Sequence, residues 1–291
     1  SSSSLIQNES VRRGPTMSSD QIKRNIRWVL GCLIAFLVFL VLVQWFGFDQ
    51  ANRVDLPNVL AAPSRQALFG KDELGRDLFV RVFVGGAHTL LPSLLALILV
   101  VLFGCFMGVL SVRFGGIVDR FVQVAITLFQ AFPPIIFVIG VVGFLGLGME
   151  QTLLAICLTS WTKYAYLVRS LLLDIKEEPY FRYADMFGNT FWSKIKLYYL
   201  PSVFPQVVTT MVYDLNTIIM EIAGMSFIGL GAQMPYAEWG AMINNGRSYL
   251  QIAPWIVAFP SLFLILFIGG VMYLGRLLKQ YFAIQQEYKR S

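Results

Sequence analysis

The stretch "WVLGCLIAFLVFLVLVQWFGF", residues 28–48, decides the fold class. It runs about 21 residues without a formal charge, enough as a helix to cross roughly 30 Å of hydrocarbon. A polar leader with Arg12, Arg13, Lys23, Arg24 and Arg27 precedes it. Such a leader suits a secretory signal. The run, however, exceeds a signal's apolar core and no A-x-A-like cleavage site follows, so it reads as an uncleaved anchor.

Working outward, comparable runs lie near 89–110, 121–147, 152–173, 204–230 and 255–278. With the anchor they make six expected transmembrane helices in an all-α membrane protein. The whole composition agrees: 291 residues are 56% hydrophobic and 14% charged, with a mean hydropathy of +0.64, against roughly 25% charged in soluble domains. Six spans place both termini on one side. The connecting segments on that side carry Arg113, Arg120, Lys176, Arg182, Lys194, Lys196, Arg276, Lys279, Lys289 and Arg290. The other side carries Arg53, Arg65, Lys71, Arg76, Arg81 and Arg247, offset by Asp49, Asp55, Asp72, Glu73 and Asp77. The bias of cations predicts cytoplasmic N- and C-termini. It also accounts for the basic pI without nucleic-acid binding.

Function classes can then be excluded. Cys32, Cys105 and Cys157 fall within expected spans and read as small buried hydrophobes. His88 is the sole histidine, so an imidazole metal cluster is ruled out. The sequence contains no G-x-x-x-x-G-K-[ST] loop, nucleophile–base pairing or zincin motif. It offers no catalytic residues, no metal ligands and no cofactor of its own.

A second stretch asks for an explanation: "KEEPYFRYADMFGNTFWSKIKLYYLP", residues 176–201, is polar and aromatic between apolar runs. Glu177-Glu178-Pro179 suits a helix start. Tyr180, Ala184 and Phe187 recur at helical spacing, and Gly188 suits a stop. Asn189-Thr190 can cap a second short helix through Trp192, Ile195 and Tyr199, ended by Leu200-Pro201. By pattern alone this is either a docking element or a helix lying among headgroups.

The stretch resembles the EAA loop of binding-protein-dependent ABC importer permeases, E-A-A, three residues, G, nine residues, I-x-L-P. Ala184, Gly188, Leu200 and Pro201 keep that spacing; Arg182, Tyr183 and Tyr198 replace the usual Glu, Ala and Ile. "WTKYAYLVRSLLLDIKEEPY" (161–180) resembles the lead-in of the same group. "LFGKDELGRDLFVRVFVGGAHTL" (68–90) and "SFIGLGAQMPYAEWGAMINNGRSYLQIAPWIVAFP" (226–260) are similar to segments of the C-type permease subunit of dipeptide, oligopeptide and nickel importers. The tail departs from the family pattern after Leu274-Gly275-Arg276.

The resemblance implies a type I ABC importer (MetI-like) permease core with an extra N-terminal helix. Its expected parts are a cytoplasmic leader (1–27), the first span (28–48) and an extracytoplasmic loop holding Gly75-Arg76-Asp77 (49–88). A five-helix core follows (89–278), including a cytoplasmic coupling loop (174–201), and then a cytoplasmic tail (279–291). It implies an ATP-driven importer of di- or oligopeptides in a bacterial or archaeal inner membrane. The partners would be a second permease subunit, two ABC ATPases that bind ATP and Mg, and an extracytoplasmic substrate-binding protein. Coupling contacts would come from Glu178, Tyr180, Arg182, Ala184, Phe187, Gly188, Leu200 and Pro201. Nickel or a metal chelate is the alternative cargo.

Asp214 and Glu221, seven residues apart, share one helix face at bilayer depth, where ionisable groups face a cavity or a partner. They read as a cavity wall or gate. A proton relay in a secondary transporter, or a buried hydrogen bond between helices, are the rivals, and a membrane scaffold without transport is a more distant one. Gly75, Arg76, Asp77 and Trp239 are candidates for contact with an extracytoplasmic partner, with local pairing of Arg76 to Asp72, Glu73 or Asp77 as the other reading. Arg169 reads as snorkelling. Gly104 and Gly108 form a G-x-x-x-G that permits close helix packing.

Overall fold

The computed structural model describes residues 18–178 and 191–290. Its first helix, α1 (Ser19–Ala51), opens with a capping box. The Ser18 hydroxyl accepts from Gln21 N–H (3.3 Å) and Gln21 Oε1 accepts from Ser18 N–H (3.0 Å). From Trp28 to Phe48 the helix is apolar nearly all round, and most of that surface faces outward; Trp45 and Phe46 are each 82% exposed. A helix with such a surface is stable only in lipid or against another protein. Cys32 lies on this exposed surface, so the expectation of a buried cysteine fails there.

Helix α2 (Leu78–Phe114) starts earlier than the span at 89–110, because Asp77 caps it by accepting from Phe79 N–H (2.9 Å) and Val80 N–H (3.3 Å). The helix turns back at Gly115 and Gly116, both at positive φ, into α3 (Gly116–Ala131). The continuous run at 121–147 is not one straight helix. α3 stops before Pro133, and α4 (Pro134–Leu145) leaves at 88°. Pro133 is held extended by the proline that follows it, and neither ring can continue a helical hydrogen-bond ladder.

α5 (Met149–Glu177) returns along α2, and among the described residues this is the most extensive helix pair. Gly104 and Gly108 explain the closeness. A Cβ on Gly104 would stand 2.5 Å from Trp161 O, and one on Gly108 2.8 Å from Ala165 O. The G-x-x-x-G is therefore a true packing face.

The single-turn α6 (Phe191–Lys194) runs through a π turn (Ile195–Tyr199) into α7 (Leu200–Phe227). Leu200-Pro201 was expected to end this helix and instead heads the next one. The π turn, in which Leu200 N–H reaches Ile195 O, carries the chain to a first helical turn where proline costs no hydrogen bond. Glu177 ends α5, and Glu178 caps it with its N–H on Ile175 O (3.2 Å); the helix expected to start from these acids and Pro179 lies outside the described residues. The rest of that proposed element, including Tyr180, Arg182, Ala184, Phe187 and Gly188, lies outside the described residues. A short α8 (Trp239–Gly246) and the long α9 (Trp255–Arg290) complete the order.

By length and apolarity α1, α2 and α9 can cross a membrane, and the bent α3–α4 pair adds at most one crossing. α5 and α7 are 29 and 28 residues long but carry Lys163, Asn216, Asp214 and Glu221. Residues 52–77 and 228–254 meet at one end of the bundle, called the loop end here. The turn between α2 and α3, the end of α5 and the start of α7 meet at the other, the turn end.

Two clusters fill the interior. One, around Leu40, Val82, Phe83, Ile219, Trp239 and Phe267, joins α1, α2, α7, α8 and α9. The other, around Leu97, Val100, Val138, Ile156, Tyr164 and Ile222, joins α2, α4, α5 and α7. At the turn end a third packs Tyr199 and Val203 on Val112, Val168, Leu172 and Ile175. The chain leaving residues 191–199 is thereby tied to the ends of α2 and α5.

Candidate functional site: a charged cavity at mid-helix

Lys163 stands at the midpoint of α5 and Asp214 at the midpoint of α7. The Lys163 ammonium donates to Asp214 Oδ1 across the two helices. The carboxylate side chain is only 10% exposed, whereas that of Lys163 is 58% exposed. The pair borders a cavity of about 340 Å³ whose wall includes Glu221, Tyr164, Thr217 and the α3–α4 break at Phe132 and Pro134. Glu221 lies on the same face as Asp214 and within electrostatic reach of both Asp214 and Lys163. It has no hydrogen bond or ion pair among the described residues. The buried Tyr164 hydroxyl is near Asp214 but makes no well-formed hydrogen bond.

Glu221, Thr217 and Pro134 also border a second, larger groove of about 910 Å³. That groove is lined by apolar residues of α4, α7 and α9 and contains the buried Asn216 amide, which has no partner among the described residues. Two connected concavities thus share one carboxylate.

The loop end is built differently. Asp72 accepts from Arg76 Nε (2.6 Å), Arg76 N–H (2.9 Å) and Leu74 N–H (3.0 Å), and Arg81 stands 3.2 Å away. Arg76 also donates to Glu73 (2.8 Å), and Arg81 to Ala51 O (3.0 Å). Gly75 sits at φ +73 with its Cα so close to Asp55 that an added Cβ would meet Asp55 O at 1.9 Å. Asp77 is the α2 cap, and Trp239 is fully buried with its indole N–H on Val82 O (2.8 Å). Gly75, Arg76, Asp77 and Trp239 are thus occupied within the chain. Of the two readings of Arg76, local pairing with Asp72 and Glu73 describes its geometry.

At the loop end, two carboxylates titrate away from their ordinary range. The hydrogen bond from the Lys71 ammonium, helped by Asn58, lowers Asp55. Burial raises Glu238 despite its hydrogen bonds from Ala241 N–H (2.8 Å) and Thr89 Oγ (2.9 Å). Glu238 caps α8 and ties it to α2.

At the turn end Arg169 does not snorkel. It forms a two-pronged pair with Asp119 (Nε–Oδ1 2.7 Å, Nη2–Oδ2 2.8 Å), joining α5 to α3. Lys176 donates to Val112 O (3.0 Å), joining α5 to α2. Leu200 and Pro201 lie exposed close by.

Asp214 and Glu221 were legible as a shared face. The pairing of Lys163 with Asp214 was not, and neither was the part played by Tyr164 and Asn216. The only signal was a lysine centred in an otherwise apolar run, with its partner 51 residues away.

Among the described residues, a helical bundle with several helices long and apolar enough to cross a membrane defines a multi-pass membrane protein. Residues 100–283 match the family of binding-protein-dependent transport system inner membrane components, and the chain belongs to that family. It is 31% identical to the probable D,D-dipeptide transport system permease protein DdpC of Escherichia coli K12, over 84% of this chain and 82% of that one. The dipeptide transport system permease protein DppC of Alkalihalophilus pseudofirmus is 29% identical over 88% of this chain and 84% of its own length. The nickel transport system permease protein NikC of Escherichia coli K12 is 30% identical over 88% and 94%. In fold the chain is similar to an inward-facing methionine ABC transporter, MetNI (TM-score 0.56, 18% identity, 70% of this chain and 97% of that chain). Resemblance to the peptide and nickel importer permeases, read from residues 68–90, 161–201 and 226–260, is borne out, as is the type I permease fold.

Proposed function

We propose that this chain is one half of the translocation path of an ATP-driven importer of short peptides. The observation that carries the reading is the Lys163–Asp214–Glu221 cavity, midway along helices of a permease-family member whose relatives include two dipeptide permeases. A second permease subunit covers the open side of the cavity and groove. Six spans place both termini in the cytoplasm, as the cation bias supports. Two ATPase subunits, which bind the ATP and Mg, dock at the turn end, and a binding protein delivers solute at the loop end. The chain itself hydrolyses nothing.

In this reading residues 174–201 are the coupling element. ATP-driven approach of the ATPases moves it, and the cluster of Tyr199 and Val203 with Val112 and Ile175 passes that motion to α2 and α5. The Arg169–Asp119 clamp carries α3 along, so the helices move as a body and re-aim the cavity. Gly188→Arg or Ala184→Glu in the assembled complex should abolish uptake and leave membrane insertion intact. Normal uptake with normal ATPase co-purification would refute the coupling assignment. A nickel or metal-chelate cargo is the second reading, favoured by the equally similar nickel permease; saturable Ni²⁺ uptake with none of dipeptide would select it.

A further inference from the structure

The cavity contains a cation and two carboxylates, and they are not equally committed. Asp214 is nearly buried, while its partner Lys163 is more than half exposed. The anion is therefore fixed in the wall and the cation is the mobile partner. Glu221 is near both and bonded to neither. Among the described residues lining this cavity, these three are the only charged ones. The Tyr164 hydroxyl, on a residue only 1% exposed, borders the same space without a well-formed hydrogen bond. A buried donor left in that condition is costly, which suits a group whose partner arrives with a ligand.

We infer that Lys163, Asp214 and Glu221 form a charge-exchange site for a zwitterionic solute, a refinement that rests on the peptide reading above. The carboxylate of the solute takes over the Lys163 ammonium, with the Tyr164 hydroxyl as a second donor. The ammonium of the solute takes the place of Lys163 between Asp214 and Glu221, where its three N–H donors meet two carboxylates. Stripping either terminus of water at this depth is prohibitive unless an opposite charge replaces the water. Exchange supplies that charge at both ends, because one internal pair opens as two intermolecular pairs form. Glu221 is the extra carboxylate that keeps Asp214 from holding the arriving ammonium alone. A cavity near 340 Å³ falls at the small end of ligand pockets, roughly 300–1,000 Å³, a size for a di- or tripeptide. A bare metal cation has no anionic end to engage Lys163 and would meet its ammonium as a barrier.

The test is uptake by the complete reconstituted complex of dialanine and of its C-terminal amide, which keeps the ammonium and lacks the carboxylate. The same binding protein serves every variant, so its preference cancels in the ratio of variant to unsubstituted complex for each solute. Lys163→Met should lower dialanine uptake about tenfold or more, the loss expected for a hydrogen bond between charges, and lower amide uptake far less. Lys163→Arg should restore much of the dialanine uptake. The double variant Lys163→Met with Asp214→Asn removes both charges and leaves neither unpaired, so a pair that merely braces α5 on α7 would be rescued by it. The exchange site predicts no rescue. Rescue by the double variant, equal losses for dialanine and its amide, or a gain of Ni²⁺ uptake in Lys163→Met would each overturn the inference. Failure of the unsubstituted complex to import any dipeptide would overturn the peptide reading and this inference with it.

Discussion

The loop end and the mid-helix cavity both take charged groups out of water, and they do so in opposite ways. At the loop end Asp72 receives two backbone N–H groups and the Arg76 guanidinium, with Arg81 beside it, and Arg76 is shared with Glu73. In the cavity Lys163 holds Asp214 by a single half-exposed contact, and Glu221 is held by nothing among the described residues. A buried charge with several partners cannot leave without abandoning all of them; one with a single partner can exchange it. The first arrangement makes a fixed platform, and the second a site able to change its contacts during a cycle. Between them Trp239 and Glu238 lock α8 onto α2, so the platform is continuous with the cluster around Val82, Phe83 and Trp239.

Breaking the platform should have the largest effect. Asp72→Ala leaves Arg76 and Arg81 without their shared carboxylate, and loss of one member of a buried pair costs about 3–5 kcal/mol. Thermal unfolding in detergent should show a sharply lowered midpoint or no folded protein. A midpoint equal to that of the unsubstituted chain would erase the contrast with the cavity.

Next in size is the α2–α5 contact behind the cavity. Gly108→Leu puts a side chain where even a Cβ meets Ala165 O at 2.8 Å. Overpacking of this kind costs about 1–3 kcal/mol, and the displacement of α5 from α2 should carry Lys163 away from Asp214. Crosslinking between cysteines placed at the ends of α2 and α5 should weaken in parallel with stability.

The smallest effect sharpens the comparison through pH. Burial raises the Glu238 carboxyl above its ordinary range, so the folded state binds this proton more tightly than the unfolded one. Its contribution to stability is fully present below the ordinary carboxylate value and declines as pH rises through the raised folded value. Glu238→Gln should flatten that part of the stability–pH curve while keeping the cap on α8. An unchanged slope would mean that Glu238 stays ionised on its hydrogen bonds.

Much of this was legible before any coordinates. The helical membrane fold, the shared face of Asp214 and Glu221, and the close packing at Gly104 and Gly108 follow from composition, helical periodicity and small residues at a fixed spacing. The break at Pro133 was missed, because the apolar run continues through it, and hydropathy alone joins two helices that diverge by 88°. Pro201 misled in the other direction, because a π turn before it turns a stop into a first turn. What sequence patterns did not reveal was pairing between distant segments: Lys163 with Asp214, Arg169 with Asp119, Trp239 with Val82. Helical periodicity assigns a residue to a face; the fold decides which face of which helix lies opposite.

The central claim is that ATP, acting through partner subunits, drives solute past the Lys163–Asp214–Glu221 cavity. The most direct measurement is uptake of dialanine into sealed vesicles containing the complete complex, with ATP on the ATPase side and the proton gradient collapsed by a protonophore. Uptake should persist with ATP, stop without it, and be unaffected by the protonophore. Uptake that follows the proton gradient and ignores ATP would contradict the account and make Asp214 and Glu221 a proton relay instead.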